Sequence, residues 1–425
     1  MLSKNTPRSK RPGSSFRCKM GIVILGAGQA GLQIALSLRQ KGHQGNITLV
    51  GDEPHLPYQR PPLSKAFLKG QADAASLALR PVDALKALGI EMRLGQRAVS
   101  IDRERKTVQL STGDCTYDKL ALALGTRPRS LQISGSTLPG VLSLRGIKDG
   151  EALLAALARS QRVVIVGGGF IGLEVAATAA AAGKQVCVLE AEARVMARAV
   201  APAISAWFED MHRALGTRIV TCAKIASING LDQVTSVTLT DGEIIAADLV
   251  LVGVGAVPND EIAKDAGLEC PNGILVDACG RTSDPDIYAA GDCALHPNRF
   301  ANRVFRLESV QNAIDQAKVV AGAMVGEAVA YDAVPWFWSD QGTAKLQTTG
   351  LPIEADLHVT RGNPSEGRFT VFHLRDGKVI AADSVNSPAD HMCARRIVAG
   401  GLSVHPDVLC DVTIDLKGLA NQRTA

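Results

Sequence analysis

A strand, a glycine-rich turn and a helix follow one another twice in this chain, and this repeat constrains the fold most. The first copy is Ile22–Arg39, an apolar run that leads into Gly26-Ala27-Gly28-Gln29-Ala30-Gly31 and then a helical pattern. The second copy, over Val163–Ala179, has glycines at 167, 169 and 172. In such turns the glycines permit a tight bend, a close approach of pyrophosphate and close packing of helix on strand. Two copies predict two dinucleotide sites, one for a cofactor that stays and one for a cofactor that visits.

An acid follows the second strand of each copy. The first copy has Asp52 and Glu53 at this point, and the second has Glu190. A carboxylate there accepts hydrogen bonds from the ribose hydroxyls of an adenosine, and in the second copy it favours NADH because it repels the additional phosphate of NADPH. Arg194 and Arg198 follow closely and would suit NADPH, but they can reach the pyrophosphate instead. We therefore expect NADH.

The net positive charge of the chain comes from its N-terminal end. The net charge is +4, but residues 1–19 contain six cations and no acid, so the remaining residues carry −2. Net charge therefore gives no argument for nucleic-acid binding. The first 19 residues lack the apolar segment of a secretory signal, and we expect a disordered basic extension that precedes a start at Met20.

Two other classes of protein are disfavoured by composition. The mostly apolar run Val163–Gly183 is long enough to suggest a membrane span. It contains Glu174 and a dinucleotide turn, so we expect a buried strand and helix in a soluble, cytoplasmic protein. The nine cysteines show no CxxC spacing, which favours isolated reduced thiols and predicts no metal site.

Several further stretches bear on a site. The segment Pro57–Lys65 is a proline-rich loop with two cations, Arg60 and Lys65, and is expected to open a helix. A later strand ends in Gly291-Asp292, where an acid suits a polyol chain such as ribitol. Near the C-terminus, alternating apolar runs joined by Asp376-Gly377 predict a hairpin in a small antiparallel sheet with terminal helices.

Together these stretches resemble the FAD-dependent NADH:ferredoxin reductases of the glutathione-reductase structural class, of the putidaredoxin- and palustrisredoxin-reductase type. The resemblance extends from Met20 to the C-terminus. Its motifs are GAGQAG at Gly26, PYQRPPLSK at Pro57, GGGFIGLE at Gly167, TSDPDIYAAGD at Thr282, ESVQNA at Glu308 and PWFWSDQ at Pro335. PYQRPPLSK and PWFWSDQ are specific to this branch of the class.

The resemblance implies an α/β protein with two Rossmann-type dinucleotide-binding domains and a C-terminal α/β domain. The FAD-binding domain is divided in sequence by the NADH-binding domain. The expected limits are 1–19 for the extension, 20–126 and 257–332 for the FAD-binding domain, 127–256 for the NADH-binding domain and 333–425 for the C-terminal domain.

The resemblance also implies site residues. Those expected to bind FAD are Gly26, Gly28, Gly31, Asp52 or Glu53, Arg60, Lys65, Asp292, Val310 and Trp338. Those expected to bind NADH are Gly167, Gly169, Gly172, Glu190, Arg198, Gly255 and Glu308. Lys65 and Glu174 are expected to form an ion pair beside flavin N5, and Phe170 to cover the flavin and move aside for nicotinamide.

One position departs from the family pattern. Where the family has Ala-Thr-Gly at the end of a strand, this chain has Ala123-Leu124-Gly125, and Thr126 is the nearest substitute hydroxyl.

The implied activity is electron transport. NADH delivers hydride to FAD, and single electrons pass to a [2Fe–2S] ferredoxin that feeds an oxygenase, expected to be a cytochrome P-450-type monooxygenase. The cations expected to dock the ferredoxin are Arg299, Arg303, Arg306 and Lys318, and the family implies a monomer.

Three other activities compete with this one. Thiol-based reductases of the same fold need a cysteine beside the flavin, and no cysteine lies between residues 19 and 114. A monodehydroascorbate- or quinone-reducing enzyme needs no thiol and is separated only by PWFWSDQ. A non-catalytic flavoprotein that resembles apoptosis-inducing factor would suit the basic extension but not the charge of the remaining chain.

Overall fold

A computed structural model describes residues 21–420, so the predicted basic extension lies outside the described residues. The strands are β1 Ile22–Leu25, β2 Ile47–Val50, β3 Ile90–Arg93, β4 Ala98–Asp102, β5 Thr107–Leu110, β6 Gly113–Thr116, β7 Lys119–Leu122, β8 Thr126–Pro128, β9 Val141–Leu142, β10 Arg162–Val166, β11 Gln185–Leu189, β12 Arg218–Val220, β13 Ile225–Gly230, β14 Val234–Leu239, β15 Ile244–Ala246, β16 Leu249–Val252, β17 Ala256–Pro258, β18 Ile274–Leu275, β19 Ile287–Ala289, β20 Ala294–Asn298, β21 Arg303–Phe305, β22 Trp336–Gln341, β23 Ala344–Gly350, β24 Leu357–Asn363, β25 Arg368–Arg375 and β26 Lys378–Val385. The α-helices are α1 Gln29–Gln40, α2 Val82–Ala87, α3 Ile147–Arg159, α4 Phe170–Ala181, α5 Pro202–Ala214, α6 Glu261–Asp265, α7 Val310–Met324, α8 Pro388–Gly400, α9 Pro406–Cys410 and α10 Leu416–Ala420. The class is α/β, as predicted.

The first dinucleotide unit is a parallel sheet with the strand order β19-β7-β1-β2-β3. Every residue of β1 and β2 is buried, as expected for central strands that are covered on both faces. Helix α1 packs against α7 in the same apolar core. The carboxyl end of β1 leads directly into the first glycine turn, which therefore lies at the edge where α/β folds bind ligands.

The second unit repeats this plan with the strand order β12-β11-β10-β16-β9, again with parallel pairing. The register is equivalent, because Ile22 pairs with Ile47 in the first unit as Val163 pairs with Val186 in the second. Helix α4 follows the second glycine turn, and the duplication predicted from the glycine spacing is confirmed.

Two short antiparallel strands, β8 and β17, connect the units. Thr126 pairs with Pro258, and Pro128 pairs with Ala256. The segment in which the chain leaves the first unit and the segment in which it returns therefore lie side by side. The domain limits predicted near 126 and 256 lie in these two strands.

The C-terminal segment forms an antiparallel sheet with the order β22-β23-β26-β25-β24, followed by α8, α9 and α10. Arg375 pairs with Lys378 across the hairpin. Asp376 and Gly377 both have positive φ, +50° and +73°, which matches the twist of a two-residue hairpin turn. The predicted hairpin, sheet and terminal helices are confirmed.

Two local expectations had different outcomes. The helix expected to begin in Pro57–Lys65 is wrong, because only a 3₁₀ turn, Pro61–Ser64, forms there. Pro61 and Pro62 occupy the first two positions of this turn, where their missing N–H groups are tolerated, but Lys65 leaves the helical conformation, with φ −124° and ψ −104°. In the described part of the chain, no helix has the length and apolar character needed to cross a bilayer.

Candidate functional site

In the first glycine turn, two glycines serve the fold and one leaves room for a ligand. Gly26 has a φ of +109°, and a Cβ there would lie 2.0 Å from the carbonyl oxygen of Ala123. A Cβ at Gly31 would lie 1.8 Å from the carbonyl oxygen of Gly26. A Cβ at Gly28 would meet no described atom within 4 Å. The turn therefore leaves the N-terminus of α1 open, where unpaired N–H groups suit the pyrophosphate of a dinucleotide such as FAD.

The second turn has the same construction. Gly167 has a φ of +105°, and a Cβ there would lie 2.4 Å from the carbonyl oxygen of Gly253. A Cβ at Gly172 would lie 2.2 Å from the carbonyl oxygen of Gly167, whereas Gly169 again faces open space within the described structure. The N-terminus of α4 is thus a second cradle for a pyrophosphate, and the residues present fit two dinucleotides.

Glu190 holds its carboxylate against the second turn. Its Oε2 accepts a hydrogen bond of 2.7 Å from the backbone N–H of Gly168, and its Oε1 accepts one of 2.8 Å from the N–H of Glu192. An acid at this strand end is positioned for the ribose diol of an adenosine bound at the turn.

The first unit has no acid at the equivalent position. Because Leu25 pairs with Val50 as Val166 pairs with Leu189, the counterpart of Glu190 is Gly51. A Cβ at Gly51 would lie 2.6 Å from the Cβ of Ala27. Asp52, the next residue, is exposed, so it has the more accessible carboxylate of the two candidate acids in this unit.

Glu53, the second candidate, is bound by two side chains of the loop that follows it. Arg60 Nη2 lies 2.5 Å from Glu53 Oε1, and the Tyr58 hydroxyl donates a 2.7 Å hydrogen bond to Glu53 Oε2. Burial alone would raise the pKa of Glu53, but Arg60 and the Tyr58 hydrogen bond hold this pKa below its ordinary value. Arg60 Nη1 also donates to Tyr58 and to the carbonyl oxygen of Arg145. Arg60 therefore organises the loop in the structure.

Arg145 is a site residue that sequence analysis missed. Its Nη2 lies 3.1 Å from Oδ2 of Asp292, and the Thr126 hydroxyl lies 3.5 Å from the same oxygen. Thr126 thus approaches the predicted flavin-binding acid despite the replacement of the usual threonine by Leu124. No local motif marks Arg145, which precedes α3 and is 147 residues from Asp292.

Lys65 and Glu174 form the ion pair that the resemblance implied. Lys65 Nζ lies 2.7 Å from Glu174 Oε2, and only 4% of the Glu174 side chain is exposed. The Ser64 hydroxyl donates to Oε2 at 2.5 Å, and the Ser339 hydroxyl donates to Oε1 at 2.6 Å. The carboxylate therefore joins the first unit, the second unit and the C-terminal sheet. Neither serine was identified from the sequence.

Aromatic rings occupy neighbouring positions on α4 and β22, the two elements that carry Glu174 and Ser339. Phe170 is the first residue of α4, and its ring centroid is 4.6 Å from that of Phe337 on β22. The Trp338 centroid is 6.4 Å from that of Phe337 and 5.7 Å from that of Trp336. The structure thus connects Phe170 and Trp338 through Phe337, which the sequence analysis did not assign.

Three other predicted residues occupy helix or strand ends. Gly255 has a φ of +97° and faces open space within the described structure, just before β17. Glu308 lies 2.5 Å from Nη1 of Arg306, and Val310 begins α7 behind the capping residue Ser309.

The arginines that follow Glu190 have different surroundings. Arg194 donates to the Ser205 hydroxyl and to the carbonyl oxygens of Ala197 and Val200, at 2.6, 2.6 and 2.9 Å. It therefore holds its own loop together. Arg198 is exposed and lines a cavity of about 230 Å³ between this loop and the C-terminal domain.

One of the four expected docking cations is not available as an exposed charge. The Arg306 side chain is only 12% exposed, and besides its ion pair with Glu308 it donates to the carbonyl oxygen of Asp292. Its two partners leave it less free to contact a ferredoxin than the other three, and its assignment to docking stays a prediction. Arg299 is exposed and paired with Asp332, Lys318 is exposed and paired with Asp315, and Arg303 is exposed on β21.

Two parallel sheets with open glycine turns, joined by an ion pair between Lys65 and the buried Glu174, are the arrangement of a reductase with two dinucleotide sites. Comparisons with known proteins give the family within this class. The pyridine nucleotide-disulphide oxidoreductase family matches residues 20–317, and the reductase C-terminal family matches residues 336–420.

Relatives of known structure and function agree with these matches. Rhodocoxin reductase of Rhodococcus erythropolis is 45% identical over 94% of both chains. The crystal structure of the ferredoxin reductase for the CYP199A2 system from Rhodopseudomonas palustris has a TM-score of 0.93 and 46% identity, and covers 95% of this chain and 100% of its own. The covalent putidaredoxin reductase–putidaredoxin complex has a TM-score of 0.91 and 40% identity, over 95% and 98% of the chains.

The chain therefore belongs to the FAD- and NAD(P)H-dependent ferredoxin reductases, with the glutathione-reductase-like fold that the sequence predicted. It is an oxidoreductase of electron transport.

Proposed function

We propose that this reductase carries electrons from NADH, through FAD held by the first unit, to a [2Fe–2S] ferredoxin that feeds a cytochrome P-450-type oxygenase. The observation that carries the proposal is the ion pair between Lys65 and the buried Glu174, because it joins the segment after the first glycine turn to the helix after the second. A visiting and a resident cofactor can exchange electrons only where their two sites meet.

Bound FAD supplies the chemistry, since it accepts two electrons together and releases them singly. The chain supplies position and charge. The glycine turns hold the two pyrophosphates, Lys65 places a cation where the reduced flavin gains negative charge, and Phe170 excludes water until nicotinamide replaces it. Arg60, Asp292, Val310 and Trp338 bind the remainder of FAD, and Gly255 and Glu308 contact the nicotinamide end of NADH.

NADH rather than NADPH is the proposed donor. Glu190 is fixed on the second turn by two backbone N–H groups, so a phosphate on the adenosine ribose would meet its negative charge. The Arg194 guanidinium is already bound by its own loop. Arg198 is the remaining cation near this end of NADH and contacts its pyrophosphate.

The proposed acceptor is supported by the reductases that this chain resembles, which serve ferredoxins including putidaredoxin. Such iron–sulfur proteins are typically acidic, so exposed cations steer and orient them. Arg299, Arg303 and Lys318 are exposed in the structure and are the proposed contacts. The chain is further proposed to act as a cytoplasmic monomer whose domains divide near residues 126, 256 and 332.

The test is NADH-driven reduction of cytochrome c by the purified yellow protein, with and without an added [2Fe–2S] ferredoxin, and then with NADPH. We expect strong dependence on ferredoxin and on NADH. Rapid loss of flavin colour with NADH, but no effect of ferredoxin and direct transfer to a quinone or monodehydroascorbate, would contradict the proposed acceptor. A lasting charge-transfer band with very slow turnover would instead support a signalling flavoprotein.

The docking surface has its own control. Lys318→Glu reverses an exposed charge that is paired with an acid three residues away, and we expect a roughly tenfold rise in the KM for ferredoxin. Arg213→Glu reverses a similarly exposed charge on α5, in the second unit, that is paired with Asp210 three residues away and also with Glu209, and should leave this KM unchanged. Equal effects of the two variants would contradict a localised docking surface.

A further inference from the structure

Strand β22 presents alternate side chains to two different parts of the molecule. Phe337 contacts Phe170 on α4, and Ser339 donates to Glu174 on the same helix. Trp336 instead contacts His391 on α8. Two residues along a strand advance about 6.6 Å and four residues along a helix about 6 Å, so two successive inward side chains of β22 match two successive turns of α4. The C-terminal sheet therefore contacts the helix of the second unit in register.

Ser339 is the sole partner that the structure records for one oxygen of Glu174. Lys65 and Ser64 both bind Oε2, whereas Oε1 receives only the Ser339 hydroxyl among the described residues. Ser339 is fully buried, so water does not replace it easily. A buried carboxylate oxygen without a donor is costly, because the charge has lost its hydration.

Ser339 is itself oriented by a buried amide. Gln341 Nε2 donates to the Ser339 hydroxyl oxygen at 3.3 Å and to the sulfur of Met196 at 3.6 Å, and its Oε1 lies 2.9 Å from Nε2 of His212. Because the Gln341 oxygen can only accept, His212 Nε2 carries the hydrogen. The hydroxyl oxygen of Ser339 accepts a hydrogen bond from Gln341. The hydroxyl hydrogen of Ser339 is therefore directed toward Glu174. Gln341 and His212 are both fully buried, so this orientation is fixed by packing.

We propose that Ser339, oriented by Gln341, is a positioning residue through which the C-terminal sheet sets the charge balance of the Lys65–Glu174 pair beside the flavin. The inference rests on the proposed function, because it takes the pair to lie at the flavin. The Ser339 hydroxyl neutralises part of the Glu174 charge and leaves more of the Lys65 charge to favour the reduced, more negative flavin. The C-terminal domain then has an electrostatic role in flavin reduction.

The direct test is Ser339→Ala in the FAD-loaded protein. We expect the flavin midpoint potential to become more negative and the anaerobic rate of flavin reduction by NADH to fall roughly tenfold, the size of one hydrogen bond to a charged group. Glu174→Gln should move the potential in the opposite direction, because it leaves the Lys65 charge unbalanced. Ser339→Thr keeps the hydroxyl and should restore most of the wild-type potential.

The matched control is Ser384→Ala. Ser384 is a fully buried hydroxyl in the same sheet, but it accepts from Thr370 and does not touch the pair. It should lower thermal stability like Ser339→Ala while leaving the potential unchanged. An unchanged or more positive potential in Ser339→Ala, or equal shifts in both variants, would overturn the proposal. Since the potential is measured without ferredoxin, loss of ferredoxin dependence in the earlier assay would reveal a separate failure of the proposed function.

Discussion

The two dinucleotide units have the same strand register, but they differ in which of two facing positions carries a side chain. In the first unit the turn has Ala27 and the neighbouring strand end has Gly51, whereas in the second unit the turn has Gly168 and the strand end has Glu190. A Cβ at Gly51 would collide with Ala27 at 2.6 Å, and a Cβ at Gly168 would lie 3.1 Å from Glu190 Oε2. In each unit, a side chain at one of the two positions therefore leaves little room for a side chain at the other.

This difference explains how two similar turns suit one cofactor that stays bound and another that binds and leaves. In the second unit the acid itself lies on the turn and is available to a ribose that comes and goes. In the first unit the acids come later, and Glu53 is tied to Tyr58 and Arg60 in a loop that continues to Lys65. That loop adds contacts beyond the turn, as a resident cofactor requires.

The largest effect should come from replacing the first glycine of either turn. Gly26→Ala combines strain at a φ of +109° with a collision at 2.0 Å, and Gly167→Ala repeats both in the second unit. We expect each to lower the thermal midpoint by about 10 °C or to prevent folding. Gly42→Ala, at a φ of +83° but with open space around its Cβ, should cost only about 1 kcal/mol. Thermal unfolding of the three variants is the measurement. A large loss of stability in only one of the two turns would contradict the equivalence of the two units.

Cofactor choice should depend on Glu190. Glu190→Gln keeps the shape of the side chain but removes its charge, so we expect the ratio of kcat/KM for NADH over NADPH to fall at least roughly tenfold. Glu192→Gln removes the charge of an exposed neighbour whose backbone alone binds Glu190, and it should change the ratio little. Steady-state kinetics with both donors distinguishes them, and an equal response would mean that overall charge selects the donor.

A smaller effect should distinguish the roles of Asp52 and Glu53, the two acids of the first unit. Asp52→Asn should weaken FAD binding several-fold with little change in the stability of the apoprotein, because Asp52 is exposed. Glu53→Gln should chiefly lower stability, because it weakens the pair with Arg60. Fluorescence titration of each apoprotein with FAD, together with thermal unfolding, makes the distinction. If Glu53→Gln alone weakened FAD binding, Glu53 would be the ribose ligand.

The smallest effect concerns acid stability, because the first and second sheets differ at the amino-terminal ends of their equivalent strands β1 and β10. Asp248 pairs with Arg162, whereas the counterpart of Arg162 in the first sheet is Gly21. The hydrogen bond from Arg162 lowers the pKa of Asp248 to about 2. Since this pKa is lower in the folded protein, its stabilisation exists above about pH 4 and is lost as the pH falls toward 2.

Asp248→Asn should therefore reduce stability at pH 7 by less than about 1 kcal/mol, since the pair is partly exposed, and should flatten the loss between pH 4 and 2. Thermal midpoints across this range measure the difference. The exposed Asp232→Asn is the control, and an identical pH profile for both variants would contradict the assignment.

The sequence predicted the parts of the site that depend on local spacing. The glycine turns, the acid at Glu190 and the hairpin at Asp376-Gly377 each follow from residues that are close in the chain. Spacing also failed locally, because the prolines of Pro61–Ser64 end in a 3₁₀ turn where a helix was expected.

Contacts between segments that are distant in the chain were harder to predict from the sequence. Arg145 and Ser339 lie 147 and 165 residues from the acids that they bind, and no periodicity connects such positions. The Lys65–Glu174 pair was expected only from the family resemblance. For Arg306 the sequence shows the charge but not the ion pair with Glu308 or the hydrogen bond to the carbonyl oxygen of Asp292.

The central claim, that FAD stays on the first turn and NADH visits the second, is tested most directly by anaerobic mixing of Gly169→Ala with NADH. A Cβ at Gly169 would meet no described atom, so the protein should fold, but it would stand where the visiting pyrophosphate binds. We predict a yellow protein that dithionite bleaches and NADH does not, while Gly28→Ala is purified folded but without flavin. A Gly169→Ala protein that is colourless, or that NADH bleaches at the wild-type rate, would contradict this division of the two sites.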